Sequence, residues 1–124
     1  MHGIPITLEG KIVLVTLSYA KGWRLPGGGQ KRHEDSVTAM LRELREEIGM
    51  TDHESAQLVS GFKHRPDHRD GTAPLFLVRG VRYRPRWSLE VKKVGEFDLN
   101  ALPIETAQIT LELLNLARGE LNGL

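Results

Sequence analysis

None of the 124 residues is cysteine. That absence excludes disulfide bonds, a thiolate nucleophile and zinc held by sulfur, and it suits a reducing compartment. An excess of charge of one sign is missing too. With 17 Lys and Arg against 16 Asp and Glu, the formal net charge is +1, a balance that announces neither a nucleic acid nor a membrane as partner. No apolar run reaches the roughly 20 residues that a bilayer span needs. The opening MHGIPITLEG has neither the charged nor the apolar region of a secretory signal. Internal repeats, low-complexity tracts and linkers are also lacking. The expectation is a cytoplasmic protein, monomer or homodimer, with residues 1–124 forming one domain.

The residues that are present have an ordinary globular composition, 40% hydrophobic and 27% charged. Ile4, Ile6 and Leu8 alternate with other residues ahead of the turn signal Glu9-Gly10. KIVLVTL follows, and together these predict a β-hairpin or two adjacent strands. SYAKGWRLPGGG predicts a loop, because Pro26 and three glycines oppose regular structure. The clearest helix runs from Asp35 to Ile48, with Asp35 or Ser36 placed to cap it and Gly49 placed to end it. AQLVSGF and APLFLVRGVRY predict strands on either side of the polar loop KHRPDHRDGT, and RPRWSLEVKKVGEFDL predicts a loop and a short strand. The last segment, PIETAQITLELLNLARGEL, predicts a helix with Ile109, Leu113 and Leu116 at helical spacing. Strands before and after a helix, with a second helix at the end, predict a mixed sheet flanked by helices, in the α/β or α+β class.

On a wheel of about 100° per residue, Val37, Met40, Leu41, Leu44 and Ile48 share one arc of the first helix. Glu43, Glu46 and Glu47 share another. Like charges at such spacing cost roughly 0.2–0.5 kcal/mol per pair in an isolated helix, and Arg42 offsets part of this by pairing with Glu46 four residues on. A solvated acidic face would account for two glutamates. Three, directly after a loop whose glycines let backbone approach a ligand, fit a hard cation such as Mg²⁺ or Mn²⁺ that cancels their repulsion.

The spacing around these residues resembles the Nudix box. From Gly28, five residues lead to Glu34 and seven more to Arg42-Glu43-Leu44; one residue later come Glu46-Glu47, then after Ile48, Gly49-Met50. All nine specified positions are filled over 23 residues. GWRLPGG before the box and EFDLNALP after it are similar to the flanks of many Nudix proteins. The resemblance implies a Nudix-type α/β/α sandwich with a mixed, curved sheet. It also implies metal-dependent cleavage of the diphosphate linkage of a nucleoside diphosphate joined to another moiety. A nucleoside triphosphate, a capped RNA end, or a non-catalytic nucleotide-binding module of the same fold are the alternatives. The implied partner is a nucleotide-type small molecule, with no nucleic acid and no membrane.

Carried over by position, the resemblance implies that Glu43, Glu46 and Glu47 hold Mg²⁺ or Mn²⁺, with the Gly27 carbonyl as a further ligand. Arg42 orients a glutamate, and Glu34 braces the loop. The base that activates water is Glu43 in some relatives and a later glutamate in others; here Glu90 is preferred to Glu96, an ordinary surface glutamate being the alternative for either. Outside the box, Arg65 and Arg69 lie in a loop with His64, His68 and Asp70 that can meet phosphate, while the histidines lack the spacing of a zinc site. Trp87 can stack a base or sit at a sheet edge, and Trp23 is expected in or near the core.

Overall fold

A computed structural model describes residues 1–59, 73–122 and 124. The first two strands, β1 (His2–Thr7) and β2 (Ile12–Leu17), form the antiparallel pair that the alternation predicts, with Ile6 opposite Ile12. A strand also forms where a loop is expected. In β3 (Ala20–Arg24), Thr16 of β2 pairs with Trp23, and Gly22 adopts φ +90°. Two contacts from a distant segment hold this strand: the Trp23 N–H donates to the Glu105 carbonyl at 2.8 Å, and the Ala107 N–H donates to the Trp23 carbonyl at 3.0 Å. Nothing near Trp23 in sequence supplies those partners.

The helix α1 spans Ser36–Glu47, and its cap is Asp35, whose carboxylate accepts from the Thr38 N–H at 2.8 Å. It ends at Gly49, with φ +73°, where a Cβ would run into the Arg84 carbonyl. The chain then forms β4 (Met50–Asp52), a short strand the pattern does not announce, and β5 (Ser55–Leu58). Both pair antiparallel with β6 (Leu75–Tyr83), and β6 runs parallel to β1, with Ile4 opposite Leu77. The strand β7 (Val91–Phe97), longer than expected, lies antiparallel along β2. The helix α2 (Gln108–Leu116) and the short α3 (Arg118–Leu121) close the described chain.

Alternation along the strands divides the interior in two. Ile12 and Leu14 of β2 join Leu75 and Leu77 of β6 against Leu113, Leu114 and Leu121 of the terminal helices. Val13 and Val15 face the other way and join Phe76 and Val78 against Met40, Leu44 and Ile48 of the α1 segment. The result is a mixed, curved sheet between helices, the α/β/α arrangement expected. No helix among the described residues is long and apolar enough to cross a membrane.

The face of α2 differs from the expectation. Leu113 is buried, but Ile109 and Leu116 are 41% and 56% exposed, and Thr110 is buried instead. Thr110 Oγ1 donates to the Trp23 carbonyl at 3.0 Å, which satisfies the hydroxyl inside the packing. Trp23 itself is partly buried and meets Phe97 edge-on, with ring centroids 4.9 Å apart. Leu44 is fully buried under α1. Leu44→Ala is expected to cost about 2–5 kcal/mol through lost transfer energy and a cavity, read as a lower denaturation midpoint with an unchanged slope.

Candidate active site

The glycine segment crosses the start of β1. The Gly3 N–H donates to the Pro26 carbonyl at 2.9 Å, and the Gly28 N–H donates to the Met1 carbonyl at 3.0 Å. This crossing lays the loop directly on two glutamates of α1. The Gly27 N–H donates to Glu47 Oε2 at 3.0 Å. At Gly28 a Cβ would lie 2.6 Å from the Glu43 carboxyl carbon, so only glycine lets the backbone come this close.

Arg42 binds the loop to the helix. Its Nε and Nη2 donate to the two oxygens of Glu34 at 2.8 and 2.9 Å, and Nη2 also donates to the Gly29 carbonyl at 3.0 Å. Its Nη1 donates to Glu43 at 3.0 Å and to Glu46 at 3.3 Å. The pairing with Glu46 is present, but Glu34, eight residues back, takes the bidentate grip. The Arg42 guanidinium, together with the Lys31 N–H, holds the Glu34 carboxyl down to about 2. That contribution to stability is fully present above the ordinary value of 4.5 and fades as pH falls through about 2. Arg42→Lys keeps the charge but cannot reproduce the fork. If the glutamates take Mg²⁺ as the spacing predicts, the variant is expected to bind it about 10–100-fold more weakly, as loss of a positioning partner does, read by calorimetric Mg²⁺ titration.

Glu43 and Glu47 are brought together under the glycine loop, close enough that a proton held by one can hydrogen-bond the other. Burial, then the charge of Glu43 and that hydrogen bond, push the Glu47 carboxyl up to about 8; the Gly27 N–H opposes the rise and the charge of Glu90 adds to it. Glu46 is turned aside, 55% exposed beside Arg42. Among the described residues no three acidic or histidine side chains already converge as a metal cage. The donor chemistry still fits a hard divalent cation. Two carboxylates are packed so closely that one keeps its proton near neutrality, and a cation would relieve that repulsion.

Glu90 lies near enough to Glu47 to act on its charge, and its loop is fastened on both sides. The Ser18 N–H donates to the Glu90 carbonyl at 2.8 Å, and Ser88 Oγ accepts from the N–H groups of Glu90 and Val91 at 3.2 Å. Glu96 lies close to Tyr83, whose hydroxyl is pushed above its ordinary range by burial and by that carboxylate. Trp87 is 84% exposed on the Glu90 loop. Arg65 and Arg69, with His64, His68 and Asp70, lie outside the described residues.

A cleft of about 280 Å³ opens beside Glu47, Gly27 and Gly28. His2, Tyr19, Arg24 and Thr110 line it with apolar residues between them. Burial, helped by the Met1 amino group and Arg24, lowers His2 to about 4, so its imidazole is neutral at pH 7. No sequence spacing marks these residues. They come from β1, the β2–β3 turn, β3 and α2, which the Trp23 contacts and the shared core bring together.

A NUDIX domain family model matches residues 3–115. Among solved structures, a MutT NUDIX hydrolase from Burkholderia pseudomallei is similar, with 26% identity, 93% of each chain covered and a TM-score of 0.70. A C. elegans Ap4A hydrolase binary complex shares the fold at 20% identity, with 96% of this chain and 92% of that chain covered and a TM-score of 0.64. So does a bifunctional NMN adenylyltransferase/ADP ribose pyrophosphatase from Francisella tularensis, complexed with AMP and a Mn ion. There the identity is 15%, the coverage 98% of this chain but 41% of that one, and the TM-score 0.69. Comparison with curated proteins gives no significant match.

Proposed function

The chain belongs to the NUDIX domain family, and from that premise we propose that it hydrolyses the diphosphate linkage of a nucleoside diphosphate joined to another moiety, with Mg²⁺ or Mn²⁺. The observation that carries this reading is the Glu43–Glu47 pair packed beneath Gly27 and Gly28, opening on a cleft of about 280 Å³. Glu43 and Glu47 would hold the cation, with Glu46 and the Gly27 carbonyl as further oxygen donors. When bound, the cation supplies neutralisation of the diphosphate and a lowered pKa for the attacking water.

The residues of the chain do the rest. Arg42 fixes Glu43 and ties the glycine loop to α1, so that Glu43 and the loop are held in place and Glu46 would have to turn in on binding. Glu90 takes the proton of the attacking water. Glu43 is the weaker choice for that role, because its carboxylate already binds Arg42 and is packed against Glu47. The cleft holds the nucleoside side of the substrate against Tyr19 and Arg24, and its apolar walls keep water from the reacting phosphorus. Arg65, Arg69 and Trp87 are proposed to grip the part beyond the cleaved bond.

The names of two similar structures and the substrates the box leaves open set the panel for the test: ADP-ribose, Ap4A, a nucleoside triphosphate and a nucleoside diphosphate sugar. Phosphate or monophosphate release is expected from at least one diphosphate-linked member with Mg²⁺ and from none with chelator. Release from the triphosphate alone would move the assignment to that class. Absence of release from every member would leave the fold without the activity.

A further inference from the structure

Beside the Glu47 cleft lies a wider groove of about 860 Å³. Irregularities on both sides of one step of β2 shape it. Between Thr16 and Leu17 the partner on β3 jumps from Trp23 to Ala20, and the partner on β7 jumps from Lys93 to Val91. The unmatched residues are Lys21 and Gly22 on one side and Lys92 on the other. In a regular strand Lys92 and Lys93 would point to opposite faces; the bulge breaks that alternation, and both line the groove together with Lys21.

All three lysines are exposed, and the ion pairs among the described residues belong to Lys11 and Arg42 instead. Glu105 is the acidic residue on the groove wall. Thr106 and Ala107 also line it, and there α2 begins without a side-chain cap. The N–H groups of Thr106 and Ala107 are taken by the Pro103 and Trp23 carbonyls, so the positive character of the groove comes from the three ammonium groups. The groove and the Glu47 cleft meet at Leu17, Tyr19 and Ala20, with the Tyr19 ring 70% exposed between them. A ligand long enough to fill both would pass Tyr19 on its way from Glu47 to the lysines.

We propose that this groove binds a second phosphate, esterified to the ribose of the nucleotide whose 5′ diphosphate lies at Glu43 and Glu47, so that the substrate is anionic at both ends with a neutral nucleoside between. The proposal rests on the reading that a nucleotide diphosphate is held at Glu47. A neutral or cationic extension would leave three ammonium groups unanswered, whereas a phosphate ester answers them with charge-assisted hydrogen bonds. A free nucleotide with a 3′-phosphate and the first phosphodiester of an RNA 5′ end share this chemistry.

The test is direct binding by titration calorimetry, which needs no turnover. The ligands are a nucleoside 5′-monophosphate, the matching 3′,5′-bisphosphate and the matching 5′-phosphorylated dinucleotide, in each of four bases. For at least one base, the bisphosphate or the dinucleotide should bind the wild type about tenfold or more tightly than the monophosphate, with the gap narrowing as salt rises. In Lys21→Gln/Lys92→Gln/Lys93→Gln, with native circular dichroism, the gap should close. The tighter of the two ligands identifies the source of the phosphate. Equal affinities in the wild type for all four bases, or a gap that survives in the triple variant, would overturn the proposal. Hydrolysis of the corresponding 5′-diphosphates with Mg²⁺ is assayed separately, so loss of the hydrolase reading shows there and not in the binding gap.

Discussion

With glutamine in place of Glu47, hydrolysis should fall further than the roughly 10–100-fold typical of losing an outer-shell partner, while the metal-free protein becomes more resistant to unfolding at pH 8. Both effects come from one carboxylate. Glu47 is raised from an ordinary 4.5 to about 8 by burial and by Glu43. Below pH 4.5 it is protonated in the folded and unfolded chain alike. Between 4.5 and about 8 the unfolded chain releases the proton and the folded one keeps it, so stability declines across that window and levels off above it. The amide of Glu47→Gln does not titrate and escapes the decline. Thermal unfolding of both proteins from pH 4 to 9 in chelator measures the difference, which should widen through that window.

Added Mg²⁺ should then raise the wild-type melting temperature by linkage, and raise that of Glu47→Gln much less. An active Glu47→Gln at limiting Mg²⁺, or parallel stability profiles in chelator, would remove Glu47 from the metal site.

Glu90→Gln should lower kcat by about 10²–10⁴, the range for loss of a general base, with KM changed little. The motive is geometric. Glu90 acts on the charge of Glu47, and its loop is pinned by Ser18 and Ser88, so its carboxylate stands at the site without the guanidinium that occupies Glu43. Glu96→Gln is the control: its carboxylate lies close to Tyr83, and kcat should stay near wild type. A kcat within a few-fold of normal in Glu90→Gln would return the role of base to Glu43.

The box was legible because its chemistry is local. Gly28, Glu43 and Glu47 lie on one loop and the helix that follows it, and helical geometry alone sets Glu43 above Glu47. Asp35 as cap and Gly49 as stop follow from the same short range. The buried face of Met40, Leu44 and Ile48 does too. What spacing could not foresee is that the three glutamates part company. Arg42 draws Glu46 outward while Glu47 turns in to the Gly27 N–H, a choice made by the loop lying across the helix.

The amino-acid sequence by itself determined the family, the strand pair at the start, α1 and the carboxylates it carries. All of these depend on residues within a turn or two of one another. Only the tertiary structure decided that SYAKGWR contains a strand, and that α2 buries Thr110 and leaves Ile109 on a cleft. Each depends on a partner far along the chain: Glu105 and Ala107 for Trp23, and the Trp23 carbonyl for Thr110. The free energy of such pairings belongs to two distant segments at once, and neither segment alone carries a pattern that specifies it.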